Sequence, residues 1–256
     1  MSALIALPVL LPLLGAALSV GLGRRRALQR LVGVTTLTAV TAISAALLLR
    51  VDDQGTTAVQ AGGWDAPIGI TLVADRLAAI MLLIAMAMLL AVLVYAIGQP
   101  GAEGAHVGFH PVYLVLAAGV ALAFLTGDLF NLFVAFEVML MASYVLITLG
   151  GRRDQVRTGM TYVTISLLAS ALFLLALGLV YGATGTINLA DLGPKLAELP
   201  DGLRSGLAVL LIVVFGIKAA IFPLFFWLPD SYPTAPTPVT SIFAGLLTKV
   251  GVYALI

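Results

Sequence analysis

The run Phe215-Gly216-Ile217-Lys218-Ala219-Ala220-Ile221-Phe222-Pro223 places a lysine inside an apolar stretch, with a proline five residues later. Two similar stretches flank it. Upstream, Leu132-Phe133-Val134-Ala135-Phe136-Glu137-Val138-Met139-Leu140 carries a lone carboxylate; downstream, Gly245-Leu246-Leu247-Thr248-Lys249-Val250-Gly251 carries a second lysine. Each charge sits among residues that belong in lipid. A charge at the centre of a bilayer costs about 2.5–3.5 kcal/mol on insertion scales, so such residues are functional candidates by default.

Composition fixes the solvent. Of 256 residues, 61% are hydrophobic and 10% charged, with a mean hydropathy of +1.14, whereas soluble domains carry about 25% charge. The chain therefore reads as an all-α polytopic membrane protein. Its net charge of +1 argues against nucleic acid as a partner. With no cysteine, disulfides, thiolate metal sites and iron–sulfur clusters within the chain are excluded, and two histidines disfavour a bis-histidine haem. No cofactor and no metal site are expected. The N-terminal apolar run lacks a basic leader and reads as a retained helix.

A helix needs about 20 apolar residues to cross a bilayer, and eight segments qualify: 2–22, 31–49, 74–97, 111–127, 129–149, 159–182, 204–228 and 237–256. The fourth and fifth spans are joined by almost nothing, Thr126-Gly127-Asp128, which predicts a tight helical hairpin with Asp128 as an N-cap. The loop from Val51 to Thr71, punctuated by Gly62-Gly63 and Pro67, predicts a short β-hairpin. The loop from Ala183 to Gly202 predicts a short amphipathic helix over 187–199, capped by Thr186 or Asn188. Arg24, Arg25, Arg26 and Arg30 fall between the first two spans, and Arg152, Arg153 and Arg157 between the fifth and sixth. Alternation puts both clusters on one side, the cytoplasmic one by the positive-inside rule, with the N-terminus outside. The final apolar run has no polar tail, as expected of a chain that continues beyond Ile256.

Glu137 falls near mid-depth of its span, and so does Lys218. Pro223 removes a backbone donor and clashes with the carbonyl of Ala219, which predicts a break in the seventh helix. Broken backbone at membrane depth requires protein or water to satisfy it. Hence Lys218 is expected beside a small hydrated cavity. A Glu137–Lys218 pair with Lys249 as a second lysine would form a proton relay, because adding or removing one proton changes which groups attract each other. Lysine can release a proton where arginine cannot. Thr161, Thr164, Ser166 and Ser170 make the sixth span more polar, with Thr164, Ser166 and Ser170 as candidates to line a water path; small hydroxyls also serve helix packing. His106 and His110 read as interfacial, with proton entry as a candidate role. Asp230, in the proline-rich 229–238 turn, reads as a local cap or pair.

The run from Asp128 to Leu146, with Phe136-Glu137-Val138 at its heart, closely resembles the fifth helix of the antiporter-like subunits shared by Mrp-type cation/proton antiporters and respiratory complex I. The run from Lys218 through Phe226-Trp227-Leu228-Pro229-Asp230-Ser231-Tyr232-Pro233 to Lys249 resembles their seventh and eighth helices. Phe225 stands where complex I relatives often have histidine, and Ser231-Tyr232-Pro233 favours the D-type subunits of Mrp antiporters. The resemblance implies a non-enzymatic transport subunit working with other subunits of a hetero-oligomeric complex in the cell membrane. It would move protons coupled to Na⁺ efflux, with a cation path that could lie in another subunit. It implies that Glu137, Lys218 and Lys249 are the relay residues. It also implies two regions: 1–110, three helices with an external hairpin, and 111–256, the first of two five-helix repeats.

Overall fold

The computed structural model describes residues 3–101, 103, 108–151, 153–233 and 235–256. His106, Arg152 and the side chain of Asp230 lie outside what is described. Helices dominate: α1 (Ala3–Gly21), α2 (Arg26–Gln54), α3 (Arg76–Gly98), α4 (Phe109–Leu125), α5 (Leu129–Thr148), α6 (Arg153–Thr184), α7 (Leu189–Ala197), α8 (Asp201–Ala219), α9 (Leu228–Ser231), α10 (Thr237–Ile242) and α11 (Thr248–Tyr253). Six of them, α1, α2, α3, α5, α6 and α8, are long and apolar enough to cross a membrane, and α4 is a shorter apolar helix. The eighth expected span is not one α-helix. It is α10 and α11 joined by a π-helical turn, Phe243–Leu247.

The molecule is organised around α4. Fourteen of its seventeen residues are buried, as expected of a helix apolar on every side. It packs against α1, α3 and α5, and Tyr253 of α11 donates a hydrogen bond to its Phe124 carbonyl at 3.1 Å. Outer faces are the reverse of a soluble protein's: Leu14 and Leu18 of α1 and Leu168, Leu174 and Leu175 of α6 are exposed, a surface stable only against lipid or another membrane chain.

On one side of the bundle the expected hairpin forms. Strand β1 (Thr57–Gln60) pairs antiparallel with β2 (Thr71–Ala74). The 126–128 turn and the approach to α7 extend this ribbon. Leu72 bridges Thr126, and Asp128 bridges Asn188. Gly127 N–H donates to Thr71 O at 2.8 Å, Leu129 N–H to Ile187 O at 2.9 Å and Leu189 N–H to Gly127 O at 2.9 Å. Side chains add to it: Asp128 caps α5 by accepting from Asn131 N–H at 2.8 Å, and Asn188 caps α7 while donating to Thr71 Oγ1 at 3.1 Å. The three connections on this side are therefore one hydrogen-bonded unit.

The arginine-rich side departs from the sequence reading. Helices α2 and α6 start earlier than expected, so Arg26, Arg30, Arg153 and Arg157 are helical rather than loop residues. His110, at the start of α4, is buried, 3% exposed. Its Nε2 lies 3.0 Å from Glu103 Oε1, while Arg30 donates to both oxygens of Glu103, at 2.9 and 2.6 Å. This clamp ties α2 to α4 through the connection after α3. Burial would push the Glu103 carboxyl up, but the Arg30 fork together with the Arg30 and His110 charges outweighs it and holds the carboxyl below its ordinary range.

Candidate functional site

Helix α8 stops at Ala219, four residues before Pro223, so Lys218 sits at a helix end rather than mid-helix. The ending is built from backbone. Ala220 adopts the left-handed conformation, φ 53°, where its N–H reaches Ile217 O at 3.2 Å and Ile221 N–H reaches Gly216 O at 3.0 Å. This is the Schellman pattern, with alanine where glycine is usual; the Cβ costs about 1–2 kcal/mol there. The indole N–H of Trp227 donates to Ile217 O at 3.1 Å. Carbonyls freed by the break are thus taken up from the turn that follows, and the Lys218 ammonium lies at the negative end of the helix dipole. Gly251 of α11 permits a close backbone approach at this point: a Cβ there would stand 2.5 Å from Ala219 N and 2.8 Å from the carbonyl carbon of Lys218.

Lys218 is buried and Glu137 half-buried, and they do not form a direct ion pair. Ser170 of α6 stands between them. Its hydroxyl donates to Glu137 Oε1 and accepts from Lys218 Nζ at 3.3 Å. The ammonium also lies 4.6 Å from the centre of the Phe136 ring, a cation–π distance. Phe136 is held in turn by Phe173 and Phe215. Beside Lys218 is a cavity of about 30 Å³ lined by Tyr162, Ser166, Trp227 and apolar side chains, room for a water molecule or two.

Ser166 and Ser170 face this site; Thr164 does not. It is exposed on α6, with its hydroxyl donating to Met160 O of its own helix at 2.9 Å. Lys249 is exposed as well. Its ammonium donates to Ala244 O at 2.5 Å, a carbonyl of the π-turn, and to Thr248 Oγ1 at 3.3 Å. The backbones carrying the two lysines touch at Gly251, but Lys249 makes no hydrogen bond to Glu137, Ser170 or Lys218 among the described residues.

Sequence reasoning passed over Tyr162 and Ser143. Tyr162 is buried, its hydroxyl 2.9 Å from Ser143 Oγ of α5, and its ring lies against Tyr144, Trp227 and Phe243. The buried hydroxyl of Tyr232 finds no partner among the described residues. The signal was present: Tyr162, Ser166 and Ser170 recur every four residues and so share one face of α6.

Fold and site together define a multi-pass helical membrane protein in which a carboxylate and a lysine meet across a hydroxyl at a broken helix. Residues 126–256, just over half of the chain, match the family described as NADH:quinone oxidoreductase/Mrp antiporter, transmembrane, and the chain belongs to that family. It is 43% identical over 256 residues to the D-type subunit of an Na(+)/H(+) antiporter of Alkalihalophilus pseudofirmus, covering 100% of this chain and 52% of that protein. It is 44% identical over 263 residues to the D-type subunit of a probable K(+)/H(+) antiporter of Rhizobium meliloti, covering 99% of this chain and 48% of that protein. A chain of the Mrp complex from Dietzia sp. DQ12-45-1b matches the fold with a TM-score of 0.90 at 33% identity, covering 100% of this chain and 48% of that one. The chain spans about half the length of the curated relatives it matches.

Proposed function

We propose that this chain is a membrane subunit of a multisubunit cation/proton antiporter, a transporter rather than an enzyme. It moves protons through Glu137, Lys218 and Lys249 in exchange for Na⁺ leaving the cell. The observation that carries this is the Glu137–Ser170–Lys218 chain of hydrogen bonds at the broken end of α8, beside a cavity able to hold water. Such groups exchange a proton at little structural cost, and the cavity has room for water beside Lys218. Lys249, exposed two residues from the Gly251 contact, is the hand-off toward groups in a second repeat. In this reading residues 1–110 buttress a first repeat of 111–256, and the other subunits supply the cation path. The protein resides in the plasma membrane, the arginine-rich side cytoplasmic and the N-terminus outside; single cysteines placed in this cysteine-free chain test that by accessibility to impermeant reagents.

The test of function is mutational. Glu137→Ala, Glu137→Gln and Lys218→Ala are expected to abolish antiport in everted vesicles while the complex still assembles. Normal antiport by assembled variants would sink the relay. Failure to assemble would favour a scaffold in which the charges only fix packing. Because the family spans both antiporters and NADH:quinone oxidoreductases, the runner-up is a proton-pumping subunit of complex I or of a membrane-bound hydrogenase, which co-purifying subunits distinguish.

A further inference from the structure

Hydroxyl side chains in these helices have a default. Thr38 donates to Val34 O, Thr41 to Leu37 O, Ser44 to Val40 O, Thr148 to Tyr144 O, Thr164 to Met160 O and Thr184 to Val180 O. Each satisfies itself on the carbonyl four residues back, the usual resort of a hydroxyl that has only lipid or apolar neighbours. Ser170 has the same option and leaves it. It is buried, 6% exposed, and reaches sideways between helices to Glu137 and Lys218. A hydroxyl has one proton to give and two lone pairs, so this placement uses it as donor on one side and acceptor on the other.

We propose that Ser170 is itself a proton-carrying member of the relay, through which a proton passes between Lys218 and Glu137. The proposal rests on the relay reading above. In the charged state Lys218 Nζ–H points at Ser170 Oγ, and Ser170 O–H points at the Glu137 carboxylate. In transfer an N–H bond of Lys218 breaks as an O–H bond forms on Ser170. The original Ser170 O–H breaks as one forms on Glu137. The ammonium becomes an amine, the carboxylate a carboxylic acid, and the serine is unchanged except that its hydroxyl now points at Lys218. Both end states keep both hydrogen bonds, so no buried polar group is orphaned in either. The serine thus acts as a two-position switch whose direction records where the proton is.

Ser170→Ala, Ser170→Thr and Ser170→Cys, compared with Glu137→Gln in the assembled complex, test this. Alanine is expected to lower the maximal antiport rate at least about 100-fold, the low side of what a positioned proton-transfer group supplies. The Na⁺ concentration giving half the maximal rate and the yield of complex should not change. Threonine, which keeps the hydroxyl, should stay within about twofold of the wild type on the same scale. Cysteine keeps the shape but bonds weakly; it should be slow, and it carries the comparison should the alanine chain not assemble. An assembled alanine or cysteine variant transporting at the wild-type rate while Glu137→Gln is inactive overturns the serine's role alone. So does an assembled threonine variant as slow as alanine, which would reduce the residue to packing. If Glu137→Gln transports normally, the relay reading itself fails.

Discussion

Gly251→Ala adds one methyl group where the backbones of α11 and α8 meet. Its Cβ would lie 2.5 Å from Ala219 N, 2.8 Å from Ala219 Cα and 2.8 Å from the carbonyl carbon of Lys218. Ordinary contact begins near 3.5 Å, so the two segments must part by about 1 Å. All three obstructing atoms are backbone, so no side chain can rotate away. Overpacking of this kind costs about 1–3 kcal/mol. The displaced residue is Lys218, whose contact with Ser170 is already 3.3 Å long, and a 1 Å misplacement of a reacting group can cost about 100-fold in rate. We expect a complex that assembles, melts at a lower temperature in detergent and loses about 10- to 100-fold of its antiport rate in everted vesicles. Gly206→Ala in helix α8, where a Cβ meets nothing within 4 Å, is the control and should transport like the wild type and melt no lower, since alanine in a helix is favoured over glycine by about 0.5–1 kcal/mol. A Gly251→Ala complex with wild-type melting and transport would refute the reasoning. Lower stability with full transport would leave the packing argument standing but sever its link to Lys218.

Three further outcomes follow from the same structure. Trp227→Phe keeps most of the ring but removes one of the two donors to the buried Ile217 carbonyl, leaving Ala220 N–H at 3.2 Å; losing a typical hydrogen bond costs about 0.5–1.5 kcal/mol, read as a slightly lower melting temperature of the purified complex. Asn188→Ala removes the cap of α7 and the tie to Thr71. It should cost about 1–2 kcal/mol and make the 61–70 hairpin loop more sensitive to added protease, with unchanged sensitivity counting against the ribbon as a cooperative unit. The Glu103 carboxyl is held below its ordinary range, so its stabilisation is complete above the unfolded carboxylate value near 4.3 and is lost as pH falls through the lower folded value. Glu103→Gln should therefore melt below the wild type at neutral pH, with the gap closing in acid below about pH 4.

Local chemistry accounts for what the sequence alone determined. An apolar run of span length has few choices in lipid, since its backbone must bond internally, so the membrane helices were legible from composition. Asp128 declared its helix start because a short polar side chain before an apolar run has an obvious use there; the same rule narrowed the cap of α7 to Thr186 or Asn188, and the structure uses Asn188. Pro223 announced the break because its missing N–H acts four residues upstream wherever the chain lies, and α8 does stop at Ala219. The three membrane charges stood out because lipid tolerates so few.

Tertiary structure decided which of these groups meet. The sequence grouped Thr164, Ser166 and Ser170 as candidates for one water path, but not that Ser166 and Ser170 turn toward the Lys218 site while Thr164 turns outward; that depends on how α6 rotates against α5. Nor does sequence spacing reveal that Glu137 and Lys218 stand one hydroxyl apart, since they lie 81 positions apart in the chain and the bridging hydroxyl comes from a third helix. The clamp around Glu103 belongs to the same class. Each is set by distance and orientation between segments remote in sequence, where side chains of the same type can end in lipid, in a core or against a charge.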